Sequence, residues 1–415
     1  MKIAMFVGQF PTLSETFILN QIAGLIDLGH IVKIFAQTRG KESKFHQDIY
    51  TYNLLEQTYY FNIPQNKLKR IFIALNIILK NIYKSSLAIF KALNFFKYKK
   101  LSISLRLLFY IKPFLNEDFD IIHCHFGPNG TIAVYIREIL GLDAKIITTF
   151  HGHDLRLAIE KSSIIYKELF DKCDLFQCVS NYTRDSLIKL GISSSKLINL
   201  PLGIDVKKFP LKWDAKNIIK DDNNIIILTV ARLVEEKGLF YGIKAIEQVY
   251  NKYKNIFKIK YYIIGYGNLY RPLEDYINAI NMKNTIYLLG GENQDEIVKY
   301  IKMSDIFLLP SINESFGMVL LEAQAVGLPV IATSVGGTKY AMVENKSGFL
   351  VPEKDVDALV EKIEYLLNHP ELWPRMGRAG RRFVEEKYDI VKLIKKLERV
   401  YEALINNNIS GLESL

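Results

Sequence analysis

Short apolar runs alternating with helical stretches predict an α/β chain built on two parallel, doubly wound sheets. Three observations carry that prediction. The alternation occurs twice, and 415 residues exceed one comfortable core. The polar, glycine-containing motifs also follow apolar runs, where such sheets place their ligands. Residues 2–7, 31–36, 121–126, 145–150 and 175–179 read as buried strands of the first sheet. Residues 225–230, 259–264, 286–289, 306–309 and 329–332 repeat the pattern. The stretch 201–210 and the polar run Asp221-Asp222-Asn223-Asn224 divide the two sets, giving expected domains of 1–210 and 211–385.

Composition narrows the class. Hydrophobic residues make up 49% of the chain, enough to fill two cores. Cys124, Cys173 and Cys178 form an odd set without metal-ligand spacing, which points to a reducing compartment rather than a disulfide framework. The N-terminus runs straight into a strand-like segment without a leader and cleavage site, so secretion is not expected.

Chemistry concentrates in Glu314-Ser315-Phe316-Gly317-Met318-Val319-Leu320-Leu321-Glu322. Met318–Val326 reads as a helix opened at Gly317 and ended by Gly327, with Pro329 just beyond. Gly317 lets an anion approach the backbone, and the helix start offers free N–H groups and the positive end of its dipole. The stretch reads as a phosphate site with two hydrogen-bonding carboxylates; the alternative is an amphipathic helix with two surface charges. Glu322 lies among Leu320, Leu321, Ala323 and Ala325, an unusual setting for an unpaired charge.

Arg232 and Lys237 follow the run at 225–230. A guanidinium fork and a point charge suit a diphosphate, although Glu235 and Glu236 also allow a solvated, self-neutralised loop. No Asp-x-Asp element stands where a metal would be expected, so no metal site is expected and these cations replace a divalent ion. Gly265-Tyr266-Gly267 reads either as a nucleotide-side loop or as a tight turn. His151-Gly152-His153-Asp154 follows the run at 145–150 and lacks the further ligands of a zinc site. His151 and His153 are then site residues or structural hydrogen bonders. Thr12 and Glu15 fit a capping box for a helix running to Leu28, with Gly29 as its stop, and Glu15 is equally open to acceptor binding.

In chain order, Gly8-Gln9-Phe10-Pro11-Thr12-Leu13-Ser14-Glu15-Thr16-Phe17-Ile18, the motif at 151–154, Leu202-Gly203-Ile204-Asp205, the motifs at 231–238, 265–267 and 314–322, and Val335-Gly336-Gly337 together resemble GT4-type glycosyltransferases. These are retaining sugar transferases of GT-B fold. The opening segment resembles the branch that builds exopolysaccharides and colanic-acid-type polymers. The resemblance implies two Rossmann-like domains facing across a cleft, with residues 386–415 crossing back onto the first. It implies a nucleotide-sugar donor, a UDP-hexose, as substrate and no cofactor. Glu322 would hold the ribose hydroxyls, because a carboxylate accepts two hydrogen bonds from a diol. Glu314 and His151 would serve the transferred sugar. Arg232, Lys237 and the backbone of Ser315, Phe316, Gly317, Met318 and Val319 would hold the diphosphate, with Gly265 and Gly267 beside it. Glu15, Thr16 and His153 fall on the acceptor side. Two departures stand out: 8–11 replaces a glycine-rich loop, and Tyr340 stands where relatives often carry Glu.

Residues 64–116 hold eleven Lys or Arg and no Asp or Glu, more than the whole chain's net charge of +10. Read as one helix over 70–96, Lys69, Asn76, Lys80, Lys84, Lys91 and Asn94 share a narrow arc and the rest is apolar. No uncharged apolar run approaches 18 residues, so a membrane span is not expected. Insertion at an anionic membrane surface is expected, the alternative being a helical pair packed on the first domain. Nothing matches a nucleic-acid module, so no nucleic acid is expected.

The expected function is a cytoplasmic, membrane-peripheral transferase acting on a polyprenyl-diphosphate-linked saccharide. A sugar-nucleotide epimerase or a phosphorylase shares the two-domain form, but the first needs no acceptor and the second needs a cofactor-binding lysine motif that is not found. A non-catalytic scaffold would tolerate loss of Glu314 or His151, both present with their neighbours.

Overall fold

The computed structural model describes residues 1–12, 15–40, 45–160, 163–212 and 223–408. Leu13 and Ser14 of the opening motif and Asp221 and Asp222 of the expected boundary lie outside the described residues, as do the side chain of His153 and the end of the terminal segment.

The first part of the chain runs β1 (Lys2–Phe10), α1 (Thr16–Asp27), β2 (Ile31–Arg39), α2 (Gln47–Thr51), β3 (Thr58–Tyr60), α3 (Lys67–Ala92), α4 (Phe95–Ile103), α5 (Arg106–Ile111), β4 (Ile121–His125), α6 (Gly127–Leu140), β5 (Lys145–Thr149), α7 (His153–Glu160), α8 (Lys167–Lys172), β6 (Leu175–Cys178), α9 (Asn181–Lys189) and β7 (Leu197–Asn199). The second continues with β8 (Asn224–Val230), α10 (Leu239–Tyr253), β9 (Lys258–Ile264), α11 (Tyr270–Ala279), β10 (Ile286–Gly290), α12 (Gln294–Met303), β11 (Ile306–Leu309), α13 (Met318–Val326), β12 (Val330–Thr333), β13 (Gly348–Val351), α14 (Val356–Asn368), α15 (Trp373–Lys387) and α16 (Ile390–Ile405).

The strands form a seven-stranded sheet, order β3-β2-β1-β4-β5-β6-β7, and a six-stranded one, order β10-β9-β8-β11-β12-β13. Every described pairing within them is parallel. Helices cover both faces, so the central strands read as unbroken apolar runs. Ile3, Ala4, Met5, Phe6 and Val7 of β1 are fully buried, as are Ile306, Phe307, Leu308 and Leu309 of β11. Strand order reverses between β1 and β4 and again between β8 and β11. At each reversal the connecting loops splay apart and leave a crevice at the strands' C-terminal ends. The edge strands β3, β7 and β13 are missing from the sequence reading. Each is three or four residues long, too short for a periodic signal to stand out.

Two compact units result. The first comprises Met1–Val179, Thr183–Leu200 and the chain from Ile394 onward; the second comprises Ser180–Tyr182 and Pro201–Leu393. The end of α16 therefore belongs to the first unit, where Tyr401 is fully buried.

Three local expectations need correction. The capping box at Thr12 is absent: α1 opens at Thr16, with Glu15 in the cap position and no side-chain cap bond. The expected single helix over 70–96 is two helices, and Ser85 inside α3 is non-helical at φ −141°. Its apolar circumference also splits in two. Ala74, Ile77, Ala88, Ile89 and Ala92 pack into the first unit's core. Leu68, Phe72, Leu75, Leu79, Tyr83 and Phe90, at helical spacing, are exposed, Phe72 by 74% and Tyr83 by 97%. By length and composition alone α3 is long and apolar enough to cross a membrane, which the search for an uncharged run overlooked.

Candidate active site

In the second unit the loops after β8 and β11 are tied together. Lys237 Nζ donates to Glu314 Oε2, and both side chains are largely buried. Ile312 and Asn313 N–H donate to Glu236 O at 2.8 and 3.0 Å. The Arg232 loop is held from the other side by Leu233 N–H on Tyr266 O at 2.6 Å and by Leu269 N–H on Leu233 O at 3.0 Å. Gly265 and Gly267 thus hold the Arg232 loop, their α-carbons close against Ala231 O and Leu233 O. Arg232 itself is exposed at the tip. Glu314 is pinned by Gly337 N–H on its carbonyl at 3.0 Å. Gly336 passes so close that a Cβ there would lie 1.9 Å from the same oxygen.

Gly317, at φ +92°, turns the chain into α13, and no side chain caps the helix. Leu320 N–H turns back onto Gly317 O at 2.9 Å, and the N–H groups of Met318 and Val319 stand at the positive end of the helix dipole. Behind them Leu320, Leu321, Ala323, Ala325 and Val326 are fully buried, so the helix start is rigid. Truncating Leu321 to Ala would cost about 2–5 kcal/mol. Glu322 is 6% exposed on this apolar helix, and loss of solvation raises its carboxyl from the ordinary 4.5 to about 7. The Phe316 ring is buried 5.4 Å from the Tyr388 ring, which leaves the backbone amide as the part expected to meet a ligand. Met318 and Val319 pack partly on the same core.

The first unit builds a different surface at the ends of β4 and β5. The rings of His123 and His125 stack at 4.9 Å and those of His125 and His151 at 5.1 Å, with Nδ1 of His125 2.9 Å from Nε2 of His151. Phe17 and Phe126 hold the His151 ring at 4.7 and 4.8 Å. Phe126 adopts φ +73° to turn into α6, a conformation costing about 1–3 kcal/mol that concentrates at functional sites. The buried Asp154 accepts from His151 N–H and Gly127 N–H, both at 2.9 Å, and so joins the two strand ends. Burial drives His151 down to about 3, with His123 adding to the shift, and holds His123 at about 3. Glu15 and Thr16 open α1 immediately before Phe17, whose ring lies against His151. Among the described residues no group of three His, Cys, Asp or Glu is placed to hold a metal ion.

Two family models match this chain: "Glycosyltransferase Family 4" over residues 14–208 and "Glycosyl transferases group 1" over 212–383. AmsK of Erwinia amylovora, an amylovoran biosynthesis glycosyltransferase, is 35% identical, covering 86% of this chain and 89% of AmsK. The chain belongs to this glycosyltransferase family. The transferase is also 31% identical to WcaL of Escherichia coli, a putative colanic acid biosynthesis glycosyltransferase, over 97% of this chain and 100% of WcaL. An Escherichia coli protein named UDP-Gal:alpha-D-GlcNAc-diphosphoundecaprenol alpha-1,3-galactosyltransferase is 28% identical, over 70% of this chain and 77% of that protein. HepE of Anabaena, crystallised with UDP and glucose, superposes with a TM-score of 0.71 at 15% identity, over 97% of this chain and 100% of that one. The glycosyltransferase thus has the GT-B fold of two Rossmann-like domains.

Sequence reasoning missed His123 and His125. The signal was present in His123-Cys124-His125: a period of two at the end of a strand puts both imidazoles on one face. It also treated Lys237 and Glu314 as separate functions, whereas the glycosyltransferase pairs them.

Proposed function

We propose that this glycosyltransferase moves a hexose from a UDP-sugar to a polyprenyl-diphosphate-linked saccharide, with retention at the anomeric carbon and without a metal ion. The observation that carries the reading is the uncapped start of α13 beside the Lys237–Glu314 pair, with the buried Glu322 one turn inside. A leaving diphosphate presents negative charge, and helix N–H groups, Lys237 and Arg232 are the groups that stabilise it. Glu322 accepts hydrogen bonds from the ribose diol. Glu314 holds sugar hydroxyls and steadies the positive charge developing at the anomeric carbon. His151 serves the transferred sugar, while Glu15, Thr16 and His153 belong to the acceptor side. Attack comes from the face of the leaving group, and a phosphate oxygen of that group takes the acceptor's proton. The names of AmsK and WcaL support a place in exopolysaccharide or colanic-acid-type synthesis, and the name of the diphosphoundecaprenol galactosyltransferase supports a lipid-linked acceptor.

Calorimetric titration with UDP-, GDP- and ADP-glucose, each in EDTA and in magnesium, tests the donor side. Binding of the UDP-sugar in EDTA is expected. A strict need for metal would overturn the arrangement.

The acceptor's lipid calls for a cytoplasmic enzyme resting on the inner membrane face. The exposed stripe of α3 lies beside Lys69, Lys80, Lys84 and Lys91, which suits an anionic lipid surface at about 1 kcal/mol per cation. Spanning would strip Ala74, Ile77 and Ile89 from the core they fill, so the helix lies on the bilayer. Sedimentation with anionic vesicles, set against zwitterionic ones, checks this.

A further inference from the structure

The histidine stack of the first unit is a polar chain whose proton positions follow one from another. Gln177 Nε2 donates to Leu200 O at 2.8 Å, so its Oε1 is an acceptor and takes the Thr149 hydroxyl proton at 3.1 Å. With that proton committed, Thr149 Oγ1 accepts from Nε2–H of His123 at 2.8 Å. Nδ1 of His123 is then an acceptor, and two donors reach it: the Tyr401 hydroxyl at 2.6 Å and the Gln21 amide at 3.1 Å. His123 is a neutral imidazole of fixed tautomer, anchored to α16. His125 stacks on it at 9° interplanar angle and is fully buried. Its Nε2 has no partner among the described residues, while its Nδ1 lies 2.9 Å from Nε2 of His151. A neutral imidazole carries one N–H, and a buried unpaired donor is rarer than a buried unpaired acceptor. The proton of His125 therefore sits on Nδ1 and is donated to His151.

We propose that His125 is a positioning residue: its Nδ1–H bond to Nε2 of His151 holds that imidazole neutral, with the proton on Nδ1 and the ring fixed at the end of β5. This rests on His151 serving the transfer reaction. The aromatic walls supplied by Phe17 and Phe126 restrict ring rotation, and the Asp154 bonds restrict the backbone. The hydrogen bond from His125 selects the tautomer, which neither of those contacts can do.

The test is ¹⁵N-histidine NMR of the full-length protein, with the His151 signals assigned by loss in His151→Gln. Wild type is expected to show the Nδ1–H tautomer at His151. His125→Asn puts an amide donor where Nδ1 stands and is expected to keep it. His125→Gln moves the donor toward the Nε2 position, and His125→Leu removes it; both are expected to shift His151 to the Nε2–H form. Hydrolysis of UDP-glucose, UDP-galactose and UDP-N-acetylglucosamine is measured alongside. The Gln and Leu variants are expected to lose about tenfold or more in kcat with little change in KM, and the Asn variant to recover most of it. An unchanged His151 tautomer in the Gln and Leu variants overturns the proposal outright. A changed tautomer with unchanged kcat overturns the positioning role together with the role of His151, and leaves the nucleotide side standing.

Discussion

The two sheets end in crevices of the same topology, yet they are furnished with opposite chemistry. At the β8–β11 reversal the second unit offers an ion pair, an uncapped helix start and a buried carboxyl. At the β1–β4 reversal the first unit offers stacked neutral imidazoles walled by phenylalanine. The difference teaches that a shared fold fixes where ligands go and leaves their charge to loop residues. In the proposed function, formal charge meets the phosphate leaving group and oriented neutral nitrogen meets sugar hydroxyls.

The largest test of that contrast is Glu314→Gln. It strands the Lys237 ammonium in a largely buried place, so stability should fall by about 3–5 kcal/mol and donor turnover by about 10²-fold or more. Denaturant melts and single-turnover assays read the two separately. A variant as stable and as active as wild type would dissolve the distinction between the two ends.

Next comes pH. Glu322 is raised to about 7 in the folded chain from an ordinary 4.5. Between those values the folded state binds more protons at this group than the unfolded state, so this group's contribution to stability falls as pH rises through that window, by about 3 kcal/mol in full. In the proposed site ribose hydroxyls donate to this carboxylate, so UDP affinity should rise over the same window. Glu322→Gln should remove this group's share of both dependences, which the difference between wild type and variant in melts and calorimetry at pH 5 and 8 would register. The histidine end should run the opposite way: His123 and His151 stay neutral in the folded chain down to about 3, while the unfolded chain takes up protons below the ordinary 6.5, so their contribution to stability is lost as pH falls through that value.

Tyr401→Phe is a smaller perturbation. It removes a buried hydroxyl that donates to His123, and stability should drop by about 1 kcal/mol. Leu79→Gln should do least to the fold. Leu79 is 72% exposed, so the change should stay within about 0.5 kcal/mol. Binding to anionic vesicles should nevertheless weaken, a site outside both ends whose effect appears only with lipid.

Legibility followed the range of the interactions. The α13 motif was readable because its determinants are local: Gly317 and Gly327 bound nine helical residues, and the apolar neighbours of Glu322 already marked it as buried. Central strands and the five-residue edge strand β10 were readable as apolar runs, and the three- and four-residue edge strands β3, β7 and β13 were not. The helix start at Thr16 escaped because a capping pattern in sequence does not oblige the chain to turn there. The double character of α3 escaped for another reason: an apolar circumference does not say which side meets a core and which meets solvent.

What the amino-acid order determined alone was the kind of fold, the family, and the segments from which the site is drawn, since periodicity, glycine placement and motif spacing act over a few residues. Only the tertiary structure decided that Lys237 neutralises Glu314, and that His125 and Tyr401, separated by 276 positions of chain (401 − 125), serve one polar stack. Those partnerships depend on which strand ends the parallel sheets bring side by side, and strand order is a property of the folded chain as a whole.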